Sequence, residues 1–351
     1  MYTREIQPPR GEPLEQGLPL QGTWTAPFDE VDLLRVRKPF SLPLPGWMKD
    51  CRIKEWEIFI VQDERFFLEA ILCNLKYFRW AQVLLYDGQR KEKLRFRKLI
   101  PFGLGVWRMP RNLANASIDS RSYGFFFRIH PWLDADIIKV DIDIEAARKR
   151  PPFTAHLEYE ADRSGITPMA VNLLFTETRC MYAYKAVMPV RGDMVFAGQH
   201  IALNPEKTTG FFGDFKGYYP YQMHGVWCTG LGFDSQNRRY GFSIAENQTK
   251  ETFKNNENAL WVEGALTPLP PVRITMPQGF ESDWVIQDME GMVDLVFTPQ
   301  TQIVSRLPLW VIQAEYTTPI GLYNGTLLDA AGKPVEIRNH RGFGECLKLR
   351  L

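Results

Sequence analysis

The sequence predicts an all-β protein: two antiparallel barrels in tandem, preceded by an extended N-terminal arm. Three observations predict it. From Trp56 onward the hydrophobic period is two. Strand-like runs recur at intervals of roughly 8–12 residues with turn-forming residues between them. No long amphipathic helix interrupts them. So many strands are too many for one small barrel, and closing two sheets is the economical way to remove exposed edges.

The elements follow in order. Residues 1–46 read as the arm. "QPPRGEPLEQGLPLQG" is too rich in Pro and Gly for a helix or a regular strand. The segment still carries Trp24, Phe28, Leu33, Leu34 and Phe40, anchors that a disordered tail would lack, so it is expected to pack across one or both barrels. Residues 47–185 read as the N-terminal barrel, with "WEIFIV", "RFFLEAILC", "AQVLLYD", "YGFFFRI", "DIIKVDIDI", "FTAHLEYE" and "MYAYKAVM" as strands. In "FTAHLEYE", Phe153, Ala155, Leu157 and Tyr159 share one face, and Thr154, His156, Glu158 and Glu160 the other. "FGLGVW" holds a G-x-G without a βαβ context and reads as a turn. "PVRGD" breaks the pattern and places the boundary within 178–192. Residues 186–351 read as the C-terminal barrel. Its clearest hairpin is "VWCTGLGFD-SQN-RRYGFSIAE", and "GLYNGTLLDAAGKPVEIRN" turns at Asp329–Lys333.

Composition excludes several classes. Net charge is +1 with both signs interspersed, which argues against a nucleic-acid tract and a polybasic anchor. No run of about 18 apolar residues marks a membrane span. The N-terminus lacks the apolar run of a signal peptide, and the five cysteines are scattered, with no C-x-x-C. Free thiols in a reducing, cytoplasmic compartment are expected. The histidines lack ligand spacing, so no metal is expected. There is no P-loop, Rossmann fingerprint or G-x-S-x-G elbow, so no cofactor is expected. The aromatic share, 13%, suits strands and the walls of an apolar pocket. Oligomeric state stays open.

Two stretches stand out as candidate site segments. In "DFKGYYPYQMHGVW" (Asp214–Trp227), Gly213, Gly217 and Pro220 force the backbone to bend, and Tyr218, Tyr219 and Tyr221 need partners for their hydroxyls. Two readings stand: a segment folded over a barrel mouth with its aromatics on a ligand, or a bulge with surface tyrosines. In "GFSIAENQTKETFKNNENALWVEG" (Gly241–Gly264), Glu246, Asn247, Thr249, Asn256, Glu257 and Asn258 lie close together. This is either a long polar hairpin loop or a pair of carboxylates, Glu246 and Glu257, on adjoining strands at a barrel end.

These same stretches, with "LPLPGWMKDCRIKEWEIFIVQDERFFLEAIL" and "GFGECLKLRL", resemble the bacterial family named domain of unknown function 2804, from about Pro43 to the C-terminus. Asp214, Gly217, Pro220, Trp227, Thr249, Asn256, Glu257, Asn258 and Gly264 fit its pattern; Cys228 and "SIAEN" depart from it. The family is similar to a wider lipocalin-like group that includes carotenoid 1,2-hydratase and fungal cyclisation proteins. The resemblance implies two calycin-type barrels with a ligand cavity and no particular reaction.

The expected ligand is therefore a small apolar or amphipathic molecule. As an enzyme, the chain would perform cofactor-free acid/base chemistry, a hydration or cyclisation of an isoprenoid-like substrate. Asp214 and Glu257 would be acid and partner, His224 third, and Trp227, Tyr219 or Tyr221 would face developing positive charge. A non-catalytic lipid carrier and a carbohydrate-acting enzyme are the alternatives. The two stretches are expected to meet and line the main cavity of the C-terminal barrel.

Overall fold

The computed structural model describes all residues except 102–108, 115–116, 148–149, 163–164, 309–312 and 351. The turn expected at 102–107 lies outside the described residues. Among those described, strand makes up 60% and helix 4%, so the all-β expectation holds. The strands form a 13-stranded sheet, a 9-stranded sheet and a small arm hairpin, which together make two tandem barrels.

The first sheet runs in the order 92–101, 78–87, 66–74, 54–62, 209–217, 179–196, 153–160, 137–144, 125–132, 118–122. Strand 169–176 pairs with the first half of 179–196 and strand 199–203 with the second half. The second sheet runs 265–268, 259–262, 239–246, 222–233, 334–350, 313–328, 293–308, 284–288, 272–275. The expected hairpin joins strands 222–233 and 239–246, and Asp234 accepts the backbone N–H groups of Gln236 and Arg238 in its turn.

The boundary differs from expectation. Residues 185 and 186 lie in the middle of strand Arg179–Phe196, which runs straight through "PVRGD". Gly192 makes this possible. Its φ is +133°, and a Cβ there would sit 1.9 Å from the His156 carbonyl oxygen. The glycine bends a continuous strand instead of ending it. The chain changes sheet later, at Tyr218–Tyr221, between strands Thr209–Gly217 and Gln222–Phe233. The Asp214–Trp227 stretch is thus the junction between the barrels, which is why its pattern is irregular.

The arm packs across both sheets. Gly22–Trp24 adds a strand edge to 169–176, and Trp24 meets Phe28 at 4.8 Å in the first core. Arg4 is buried against the second sheet's loops and donates to the carbonyls of Asn256, Asn258 and Leu269. Between arm and barrel lies a short helix, Gly46–Arg52, which strand periodicity does not reveal.

Strands 54–62, 66–74, 78–87, 179–196 and 209–217 are buried on both faces. One face, with Phe59, Leu68, Val83, Tyr182 and Phe212, fills the first barrel. The other, with Ile58, Phe67, Leu84, Met181 and Phe211, packs against Leu231, Ile303, Ile320, Phe343 and Leu349 of the second sheet. A third cluster, around Trp284, Phe297 and Tyr323, fills the second barrel. The middle layer holds the cavity described next.

Candidate functional site

A cavity of about 100 Å³ lies between the two sheets. Its walls are aromatic: Trp56 and Trp80 from the first sheet, Phe215 and Tyr219 from the junction, Trp227 and Tyr316 from the second sheet. Trp56 stacks on Phe215 at 5.3 Å and on Tyr219 at 5.1 Å. The Tyr219 hydroxyl is buried and has no hydrogen-bond partner among the described residues.

Three acids line this cavity, Glu246, Glu257 and Glu345; Glu246 is committed to Arg273 and the Ile274 N–H, which leaves two. Glu257 follows the Asn-rich loop and is tied down on every side. Its Oε2 accepts from Lys185 Nζ at 2.6 Å, and its Oε1 from Asn247 Nδ2 at 2.6 Å. Lys185 also donates to Ser243 Oγ, which accepts the indole N–H of Trp227 as well. Lys185 has no solvent-exposed surface; burial pulls its pKa down, and Glu257 opposes that pull.

The second acid is Glu345, on strand Pro334–Arg350, directly across from Trp227 on the neighbouring strand. It shares a face with Phe343, Leu347 and Leu349. Burial pushes its carboxyl up to about 8, with a smaller push from Glu69. Glu69 accepts from Gln82 and is itself raised to about 7 by burial, against the pull of Gln82 and Arg95. At neutral pH Glu345 is therefore a neutral acid facing aromatic rings. The cavity combines this acid with a lysine-paired carboxylate, an arrangement suited to moving a proton to and from an apolar substrate.

The structure brings together Tyr219, Trp227, Glu246, Asn247 and Glu257 of the expected site. It separates others. Asp214 does not line the cavity. Strand alternation turns it into the first barrel with Lys216, while Phe215 between them faces the second sheet. There Asp214 and Lys216 pair at 2.8 Å opposite Glu57, whose two carboxyl oxygens have no partner among the described residues. Burial, then Asp214, raises Glu57 far above the carboxylate range, and burial raises Asp214 against the pull of Lys216. Burial thus favours the protonated form of Glu57 beside the Asp214–Lys216 pair.

His224 is exposed on an adjoining groove, and Tyr221 is 47% exposed outside the cavity. Thr249, Asn256 and Asn258 shape the loop instead. Thr249 donates to Asn247, Asn256 Oδ1 accepts from Arg4, and Asn258 ties Ala245 to Pro270. The cavity itself lies between the barrels, not inside the C-terminal one, because the best-filled interiors are the two barrel cores.

Sequence reasoning missed Glu345, Lys185, Trp56, Trp80 and Tyr316. A signal existed for the two charged ones. Glu345 and Lys185 sit alone at in-facing positions of otherwise apolar strands, "FGECLKL" and "MYAYKAVM".

Among the described residues no group of His, Cys, Asp and Glu is placed to hold a metal ion, and no helix is long and apolar enough to cross a membrane. All five cysteines are free thiols, with Cys73, Cys180 and Cys228 buried.

Comparison with solved structures shows the fold. "Crystal structure of CghA" matches at 11% identity with a TM-score of 0.53, covering 85% of this chain and 88% of that one. Kievitone hydratase from Nectria haematococca matches at 12% identity and a TM-score of 0.46, covering 84% and 88%. No curated protein matches the sequence. The family model described as "Domain of unknown function (DUF2804)" matches residues 4–351, and the chain belongs to that family.

Proposed function

We propose that the protein is a cofactor-independent acid/base enzyme, a hydratase or cyclase, acting on an unsaturated apolar or amphipathic small molecule of isoprenoid-like kind. One observation carries this reading: a neutral carboxylic acid, Glu345, faces an aromatic cavity that also holds the Lys185-paired carboxylate of Glu257. Glu345 takes the role first given to Asp214.

In the proposed step Glu345 donates its proton to an alkene carbon or a carbonyl oxygen. The rings of Trp227, Trp56 and Tyr219 face the positive charge that develops. Water, or a nucleophile within the substrate, captures the cation. The proton released on capture passes to Glu257 or back to Glu345, so the reaction consumes no cofactor. The cavity is smaller than a drug-sized pocket of roughly 300 Å³ or more, so one ring or one double bond occupies it while the rest of the molecule lies outside. The largely aromatic and aliphatic wall suits a hydrocarbon better than a sugar.

The test is to identify the occupant by native mass spectrometry of purified protein, then follow its conversion by the wild type and by Glu345→Gln. The reading expects an occupant with an alkene or carbonyl, retained by the variant and converted only by the wild type. Full turnover by Glu345→Gln would refute the role of Glu345. An occupant that the wild type never converts would leave a carrier.

A further inference from the structure

Beside the cavity, on the other face of strands 222–233 and 334–350, lies a groove of about 600 Å³. The two spaces share Gly225, Val226, Glu246, Asn247 and Leu347 as wall. They meet because strand 239–246 ends early. Its pairing with 222–233 begins at Val226 opposite Glu246, so residues 222–225 lack a strand partner on that side, where the His224 N–H donates instead to Gln248 Oε1. Gly225 stands at this edge without a side chain, and a Cβ there would lie 3.3 Å from the Glu246 carbonyl oxygen and 4.0 Å from Leu347.

The cross-strand register orders the parts. Going inward, the facing pairs are His224 with Lys348, Gly225 with Leu347, Val226 with Cys346, and Trp227 with Glu345. The acid and Lys348 are three residues apart, roughly 10 Å along a strand. The groove floor is apolar, with Ile274, Met276 and Phe280.

Its charges are unevenly committed. Glu246 is held by Arg273 at 2.7 Å and by the Ile274 N–H, and Glu315 by Arg306 at 3.0 Å. Lys348, exposed, stands between His224 and Glu315 on its two neighbouring strands and forms no ion pair within 4.0 Å among the described residues. Among the described residues the groove therefore pairs an apolar floor with a cation, Lys348, whose acidic cross-strand neighbour Glu315 is taken by Arg306.

We infer that this groove is the substrate entrance, and that Lys348 with His224 seats a carboxylate at one end of an amphipathic substrate whose hydrocarbon passes Gly225 to reach Glu345. This rests on the function proposed above and adds the substrate's polar end. A small cavity fed by a larger groove matches a molecule only part of which reacts. A single ammonium beside an imidazole suits a monoanion.

The test titrates the full-length protein with a fluorescent conjugated-tetraene C18 fatty acid and with its methyl ester. The wild type is expected to bind the acid about tenfold more tightly than the ester, as one charge-assisted contact implies. Lys348→Glu should erase that preference by weakening the acid alone. Gly225→Leu should weaken both probes by plugging the passage. Turnover of the occupant by wild type and Glu345→Gln is followed separately, so a failed catalytic reading shows in turnover and a failed entrance shows in binding. Equal affinity for acid and ester, an unaffected Lys348→Glu variant, or no binding of either probe would overturn the inference. Lys348 is exposed, so its variant is expected to fold even if Gly225→Leu does not.

Discussion

Replacing Glu345 by glutamine should make the stability of the protein less dependent on pH, and the size of the effect follows from the site. The ordinary glutamic carboxyl titrates near 4.5, and burial holds Glu345 at about 8. Below 4.5 the group is protonated in both folded and unfolded chains, so wild type and variant differ by a constant. Between 4.5 and 8 the unfolded chain gives up the proton while the folded chain keeps it, and the wild type loses stability as pH rises. Above 8 both forms are ionised and the difference is flat again. Each pH unit in the window is worth about 1.4 kcal/mol, so the ceiling is about 5 kcal/mol. Glu345 keeps some accessible surface on the cavity, and solvent there screens the charge. An effect of roughly half the ceiling, about 2 to 3 kcal/mol, is the working expectation. Urea unfolding of both proteins at pH 5, 6, 7, 8 and 9 measures it. The variant should gain on the wild type as pH rises from 5 to 8 and hold its gain at 9. Parallel stability profiles would show that Glu345 is not a buried neutral acid, and the proposed proton donor would fall with it.

Three further outcomes rest on the other buried charges. Lys185→Met should cost about 3–5 kcal/mol in denaturant unfolding, because it strands Glu257 without its buried partner, and adding Glu257→Gln should recover part of the loss. In the first barrel, Glu57→Gln should leave the melting temperature nearly unchanged since burial already favours the neutral acid, whereas Lys216→Met should lower it steeply by isolating Asp214. Arg4→Ala should cost about 2 kcal/mol or more and expose the arm to limited proteolysis, because it removes charge-assisted bonds to Asn256, Asn258 and Leu269.

Much of the fold is legible in the sequence. Period-two alternation names the strands, and Asp234 and Asp329 name two of the turns. The sheet boundary is less legible. "PVRGD" looks like a break, but only the pairing partner shows that Gly192 lets the strand pass the His156 carbonyl. The true junction, Tyr218–Tyr221, hides inside the stretch that looks most like a site. Half of the site is legible too. Trp227, Tyr219, Asn247 and Glu257 come from the two conspicuous segments, but Trp56 and Trp80 belong to strands distant in sequence that meet the others only when the sheets stack. Asp214 misled for a simple reason: parity. Phe215 faces the cavity, so its neighbours on either side must face the opposite way.

That parity rule also points to a better way of finding such sites. Strands buried on both faces read as unbroken apolar runs, and an ionisable residue inside one has no route to bulk water. The chain holds such residues at Glu57, Glu69, Lys185, Asp214 and Lys216, and Glu345 is a cavity-facing counterpart on a partly buried strand. Each must be paired, neutralised, or placed against a cavity. Asp214 with Lys216 takes the first course, and Glu57 beside them the second. Lys185 is paired as well, but its partner Glu257 lies at the cavity. Glu69 is held by Gln82, itself part of the cavity wall, and Glu345 faces the cavity directly. The middle layer between two barrels is where these costs can be offset by function, because each sheet brings one wall and neither core has to be opened. A lone charge in an apolar strand is therefore the stronger signal, and the crowded polar loop beside it supplies the groups that hold it in place.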